Sequence, residues 1–253
     1  MTRIDLNCDL GESFGAYTIG MDSEVLPYIT SANIACGFHA GDPLVMAQTV
    51  HDAVKNGVSL GAHPGLPDIM GFGRRVMKIT PAEAEAYIVY QTGALSAFAH
   101  AAGTGLHHVK PHGALYNMAA GDDALAEAVC RGVGAVDEKL ILVVLSGSCM
   151  QRAAERLGIR YACEVFADRA YTDEGTLVVR SKQGAVITDE NEVIKRAVRM
   201  VKDGIVCTES GKEIHVQADT ICVHGDNPKA LQFVKNIRAS FTEAQIEVMA
   251  LPY

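Results

Sequence analysis

The stretch Lys139-Leu-Ile-Leu-Val-Val-Leu145 holds six apolar residues in a row after its lysine. A run this short, unbroken by polar alternation and rich in β-branched residues, reads as a strand covered on both faces. Strands of that kind belong to parallel sheets flanked by helices. Working outward, similar strands are expected at Arg3–Asp9, Ser31–Gly37, Val58–His63, His107–Pro111, Tyr161–Phe166 and Thr220–His224, with a late eighth or edge strand at Ile246–Ala250. Helical patterns lie between them. Asp42 is expected to cap a helix that starts at Pro43, buries Met46, Val50, Ala53 and Val54, and stops at Gly57. Thr80-Pro-Ala-Glu83 has the form of a capping box, opening an Ala-rich helix that ends before Gly103. Asp189–Lys202 and Pro228–Ser240 are the later amphipathic helices, and Thr176–Ile187 reads as a hairpin or excursion. Seven or eight βα units in 253 residues describe a TIM-type barrel, regular or irregular, with a doubly wound sheet as the alternative.

Composition narrows the function. The chain has 22 basic and 30 acidic residues, a net charge of −8, with 49% hydrophobic residues. That balance argues against a nucleic-acid partner, and no apolar run reaches the ~18 residues of a membrane span. The N-terminal MTRIDLNCDLGE has no apolar stretch of the signal-peptide kind. Seven cysteines without a CxxC pair are expected as reduced thiols in a cytoplasm. No linker divides the sequence, so residues 1–253 are taken as one domain.

Alternation along strands places the polar residues. Asp5, Asn7 and Asp9 share one face of the first strand and Ile4, Leu6 and Cys8 the other. Asn33, His39, His63, His108, Lys110, His112, Glu164, Asp168, His224 and Asp226 fall on, or just beyond, other strands. In a parallel barrel these strand ends meet at one mouth, where active sites are built. The competing reading is an internal hydrogen-bond network that props the barrel. Gly71-Phe-Gly-Arg-Arg75 supplies two guanidinium groups for a carboxylate or phosphate.

Other chemistries leave weaker traces. There is no HExxH, no GxSxG elbow, no P-loop and no Rossmann glycine fingerprint. His39, His63, His112, Asp9 and Asp226 are candidates to converge on a divalent metal, whose identity the sequence leaves unknown. Cys36 and Cys222, though near His39 and His224, read as core fillers. Acid–base work by carboxylates, imidazoles and a lysine is what remains.

Seven motifs then carry a resemblance. Asp5-Leu-Asn-Cys-Asp-Leu-Gly-Glu12, Ser31-Ala-Asn-Ile-Ala-Cys-Gly-Phe-His-Ala-Gly-Asp-Pro43, Gly61-Ala-His-Pro64, Gly71-Phe-Gly-Arg-Arg75, Val109-Lys-Pro-His-Gly-Ala-Leu-Tyr-Asn117, Glu164-Val-Phe-Ala-Asp-Arg-Ala-Tyr171 and Cys222-Val-His-Gly-Asp226 resemble the LamB/YcsF family, in order and over nearly the whole chain. The resemblance implies an α/β fold, an irregular barrel of about seven parallel strands that is glycoside hydrolase/deacetylase-like. It also implies the A component of an ATP-dependent 5-oxoprolinase, opening the lactam of 5-oxo-L-proline to L-glutamate together with B and C subunits. ATP would be a co-substrate, accompanied by Mg, and the lack of an ATP motif here suits activation by those partners.

On the residues themselves, Arg75 or Lys110 is expected to hold the ring carboxylate and Asp9 or Asp168 to act as base for water. His112 or His63 would stabilise the oxyanion or protonate the departing nitrogen. Asn7, Asn33, His39, Glu164 and His224 complete the substrate-contacting candidates. Two alternatives stay open. One is a metal-dependent amide or carbohydrate deacetylase using Asp9 and two histidines; the other is a lactam-binding subunit without chemistry of its own.

Overall fold

The structure is a computed structural model that describes residues 2–223 and 228–252. Its centre is a closed parallel barrel. β1 (Thr2–Leu10), β2 (Ser31–Ala35), β3 (Ser59–His63), β4 (His108–Val109), β5 (Ile141–Leu145), β6 (Tyr161–Val165) and β9 (Thr220–Val223) pair in that order, and β9 returns to β1. β10 (Ile246–Val248) adds to the outside of β1, with Thr2 opposite Ile246. Barrel closure excludes the doubly wound alternative. The fourth strand is shorter than expected because Pro111 has no N–H to donate. His107 and Lys110 still donate to Leu60 and Ala62 across the seam.

The helices follow their caps. A single short turn, α1 (Asp22–Val25), lies in the connection after β1. The Asp42 side chain accepts from the amides of Leu44 and Val45 at the start of α2 (Pro43–Lys55). Thr49 joins Met46, Val50 and Ala53 in the core in place of Val54, which is exposed. Both halves of the capping box form at α3 (Pro81–Ala101): Thr80 Oγ1 accepts from Glu83 N and Glu83 Oε2 from Thr80 N. A cap of this kind contributes ~1 kcal/mol. α4 (Gly113–Gly121), α5 (Asp123–Val136) and α6 (Cys149–Leu157) complete that side, with α7 (Glu190–Asp203) and α8 (Pro228–Glu243) on the other. The outward residues of the strands, among them Ile4, Leu6, Cys8, Leu142 and Val144, are buried beneath these helices.

Residues 168–187 form the excursion, but not as a two-stranded ladder. Isolated bridges join Arg169 to Val186 and Tyr171 to Leu177. The Arg169 guanidinium, itself buried, donates to the carbonyls of Val178 and Ala185 and so folds the segment on itself. Arg196 of α7 pins it from below through the carbonyls of Ala167 and Arg169. A small antiparallel pair, β7 (Ile205–Cys207) and β8 (Glu213–His215), escapes the strand pattern because only three residues pair on each side.

Candidate functional site

The barrel interior is polar. TIM-type barrels are typically filled with branched apolar side chains; here Asp5 sits at the base and accepts from Thr30 (2.6 Å), Ser31 (2.7 Å) and Thr220 (2.5 Å). One layer higher, Asn7 donates to Glu164 (3.0 Å) and Thr220 (2.7 Å) and accepts from Asn33 (2.7 Å). Asn33 in turn accepts from the His108 ring at 2.8 Å. Gly61 stands between Asn33 and His108 in register, and a Cβ there would lie 2.0 Å from His108 Nε2. The ring fits only because this residue is glycine.

These contacts correct part of the parity reading. Asp5, Asn7, Asn33, His108 and Glu164 do face inward, but they lie below the mouth, buried and bonded to one another. Alternation gives the face of a strand and not the depth along the barrel axis. The polar set therefore divides into two layers, a hydrogen-bonded network beneath and an open cavity above.

The cavity has a volume of about 630 Å³, within the ~300–1,000 Å³ usual for small-molecule sites. Asp9, His63, Lys110, His112 and Cys222 form its floor, and Glu12, Asp22, Arg74, Tyr116 and Phe166 its walls. Val178–Ser181 of the excursion, with Arg180, cover one side. Lys110 is the floor's hub. Its ammonium contacts Glu164 at 2.8 Å, Asp9 and Asn7 at 3.1 Å each, and Cys222 Sγ at 3.2 Å. Burial alone would lower the lysine's pKa, but the anions around it, Asp9 first, hold it well above the usual range. Burial likewise pushes the Asp9 carboxyl up, and the neighbouring His63 and Lys110 outweigh that, holding it well below the carboxylate range. Asp9 is an anion and Lys110 a cation at working pH.

Three histidines cluster beside Asp9, His63 edge-on to the other two. His63 Nε2 lies 3.3 Å from Asp9 Oδ2 and 2.9 Å from His112 Nδ1. His39 lies face to face with His112, centroids 3.7 Å apart and planes 2° from parallel, out of the cavity lining. Burial lowers the pKa of His39 and His112 well below the usual value, which keeps both rings neutral. Gly73 makes this stack possible: its φ is +62°, and a Cβ would meet His39 Cβ at 2.6 Å and His112 Cδ2 at 2.9 Å. Glu12 Oε1 completes the group, 3.9 Å from His39 Nε2 and 4.0 Å from His112 Nδ1.

Other sequence candidates land elsewhere. Arg75 is drawn away by a bidentate pair with Asp68 and stays largely exposed, and it is Arg74, its neighbour, that lines the cavity. Asp168 follows β6 on the excursion and is outside the lining. His224 and Asp226 lie outside the described residues. His51, His100 and His215 are exposed and His107 is on the outer barrel face. Sequence reasoning misses Glu12 and Asp22 because they sit in the irregular loop after β1, where no periodicity applies. Asp22 is notable because burial pushes its carboxyl up to about 6 even though the Gly11 amide donates to it. Burial also raises the Cys222 thiol, and Cys36 to about 12, so neither is a ready nucleophile. All seven cysteines are free, and no helix among the described residues is long and apolar enough to cross a membrane.

Closed parallel βα-barrels that gather ionisable residues at the strand C-termini form one class of fold and site. Within it, the LamB/YcsF family profile matches residues 4–253, and the chain belongs to that family. It is 57% identical over 251 residues to the A component of the 5-oxoprolinase of Clostridium beijerinckii, covering 99% of this chain and 98% of that one. The crystal structure of the lactam utilization protein from Thermus thermophilus superposes with a TM-score of 0.92 at 47% identity, over 98% of this chain and 99% of that one. A family 4 carbohydrate esterase from Streptomyces lividans shares the fold alone, with a TM-score of 0.52 at 9% identity over 99% of this chain and 93% of that one. The irregular, deacetylase-like barrel expected from the sequence is thus the fold observed.

Proposed function

We propose that this chain is the A component of an ATP-dependent 5-oxoprolinase, working in the cytoplasm with B and C subunits to open 5-oxo-L-proline to L-glutamate. The observation that carries the reading is the cavity floor, where an ionised Asp9 and a protonated Lys110 meet under a wall bearing Arg74. A small anionic lactam needs cations for its carboxylate and a fixed anion to orient water, and the floor and wall hold both.

The chemistry asks for activation. A five-membered lactam is a resonance-stabilised amide, and the amine of glutamate re-closes it readily. Transfer of the γ-phosphoryl group of ATP to the lactam oxygen releases ADP and leaves an electrophilic carbon. Water adds to that carbon. Protonation of the ring nitrogen lets the C–N bond break, giving a γ-acyl phosphate, and a second water releases phosphate and glutamate. The A component has no phosphate-binding glycine loop of its own, so the partners are assigned the phosphoryl transfer and this barrel the ring opening.

Within that division, Arg74 and Lys110 hold the carboxylate and Asp9 orients water. Asp9 is a weak base, which suffices for a carbon already activated. The proton for the nitrogen comes from Asp22, whose carboxyl is pushed up to about 6 by burial, rather than from the histidines. Glutamate release from 5-oxoproline by this chain, with and without ATP and the partner subunits, tests the assignment. Turnover is expected only with all of them; hydrolysis by the chain alone without ATP would overturn the coupled reading.

A further inference from the structure

The histidine cluster beside Asp9 gathers ring nitrogens and carboxylates around one point. His63 Nδ1 lies 2.7 Å from the Lys110 carbonyl, and His112 Nε2 lies 2.9 Å from the Phe72 carbonyl. A carbonyl only accepts, so each of those nitrogens carries the N–H. In the form that binds a metal the other nitrogens, His63 Nε2 and His112 Nδ1, hold lone pairs. These two face each other at 2.9 Å, with Asp9 Oδ2 3.3 Å from the first and Glu12 Oε1 4.0 Å from the second. In that form two lone pairs and two carboxylates converge on one point, an arrangement that a cation completes. His39 adds a fourth donor: its ring is 1% exposed, neither nitrogen has a hydrogen-bond partner, and Nε2 points toward Glu12 at 3.9 Å.

The geometry points to a divalent cation site of the zinc class, with His39, His63, His112 and Glu12 as its ligands. One ligand atom from each of the four lies within 4.8 Å of every other, so small side-chain rotations would bring them to the separations of about 3.4 Å that tetrahedral bonds of ~2.0–2.2 Å require. The backbone carbonyls of Lys110 and Phe72 act as the outer shell that fixes the tautomer of a ligating histidine. Phe72 itself is in the left-handed region at φ 55°, costly for a bulky residue and the conformation in which its carbonyl meets His112. Three imidazoles and one carboxylate select borderline ions such as Zn²⁺, Fe²⁺ or Co²⁺ over the oxygen-seeking Mg²⁺. The site is therefore distinct from any Mg²⁺ that travels with ATP. When bound, the ion would supply a Lewis acid at the cavity floor.

The test uses the full chain alone, so its outcome does not depend on the lactam assignment. After chelator treatment the protein is titrated with Zn²⁺, Co²⁺ and Mg²⁺ by calorimetry, and the Co²⁺ form is read by visible absorption. One Zn²⁺ or Co²⁺ per chain is expected, with no saturable Mg²⁺ binding. His39→Gln and His112→Gln should each weaken Zn²⁺ binding by about 100-fold or more, beyond the ~10–100-fold typical of outer-shell losses. His215→Gln, on an exposed strand, should leave it unchanged. Failure to bind Zn²⁺ and Co²⁺, or binding that survives both ligand substitutions, overturns the proposal. Should those variants unfold, ¹⁵N spectra of the unsubstituted protein decide instead: the His63 Nε2 and His112 Nδ1 resonances must shift on adding Zn²⁺, and unmoved resonances overturn it. Turnover of 5-oxoproline by the reconstituted complex is scored separately, so metal binding without turnover would sink the lactam reading and leave the metal site standing.

Discussion

Lys110 Nζ and Glu164 Oε1 lie 2.8 Å apart inside the barrel, with side chains 4% and 0% exposed. The same ammonium serves Asp9 at the floor of the cavity, so one lysine neutralises a carboxylate of the propping network and one of the site above it. Removing a single partner of a buried pair strands the other charge in a medium that solvates it poorly.

Lys110→Met is therefore expected to destabilise the chain by about 3–5 kcal/mol, read as a fall in the denaturant midpoint. Adding Glu164→Gln should recover part of the loss, since the stranded charge is then gone. A double variant no more stable than Lys110→Met would show that the pair does not couple.

Asp22 gives a prediction with a sign. Its folded pKa, about 6, exceeds the ordinary 3.8. Below the lower value both folded and unfolded states are protonated there, and no difference arises. Between pH 4 and 6 the unfolded chain releases a proton that the folded chain keeps, so stability falls as pH rises and stays reduced above 6. Asp22→Asn keeps an oxygen for the Gly11 amide and removes the charge. Melting curves should show it more stable than the parent at pH 8, by about 1–3 kcal/mol once partial solvation of the carboxyl is allowed for, and indistinguishable at pH 4. In the reconstituted enzyme the same change should lower kcat more than it alters KM.

Arg74 and Arg75 separate by a single position. Arg74→Ala should raise KM for 5-oxoproline about tenfold, as expected for loss of a charged hydrogen bond, while Arg75→Ala, whose partner is Asp68, should leave KM unchanged. Equal effects from both would remove Arg74 from the substrate site.

Gly61→Ala pushes a methyl group into the His108 ring. Overpacking of this kind costs about 1–3 kcal/mol. His108→Ala added to it should be less harmful than His108→Ala in a Gly61 background, a coupling that a double-mutant cycle measures directly.

Where the sequence was readable, short-range physics decided the outcome. The apolar run at Ile141–Leu145, the caps at Asp42 and Thr80 and the alternation of Asp5, Asn7 and Asp9 each depend on neighbours within a few residues. The parallel edge strand at Ile246–Val248 was legible for the same reason. Depth was not legible: Asn7 and Asp9 have the same parity, but one is locked between Glu164 and Asn33 and the other meets the cavity. Loop direction was not legible either. Arg74 and Arg75 differ only because Asp68, caught in a tight turn, takes the second of them. Glu12 and Asp22 lie in a segment with no period to read, and their proximity to strands three and four is set by barrel closure.

That closure bears on how the chain is made. The bond between Asp5 and Thr220 spans 215 residues, so a carboxylate of the first barrel strand waits for the last one before its hydrogen bonds are complete. Until then the inward faces of β1 and β2 are hydrophilic walls that water satisfies, and an unfinished sheet exposes polar groups there rather than a sticky apolar lining. Such distant pairing slows folding. A hydrophilic lumen makes the delay safer, because the half-built barrel offers less for a neighbouring nascent chain to aggregate upon.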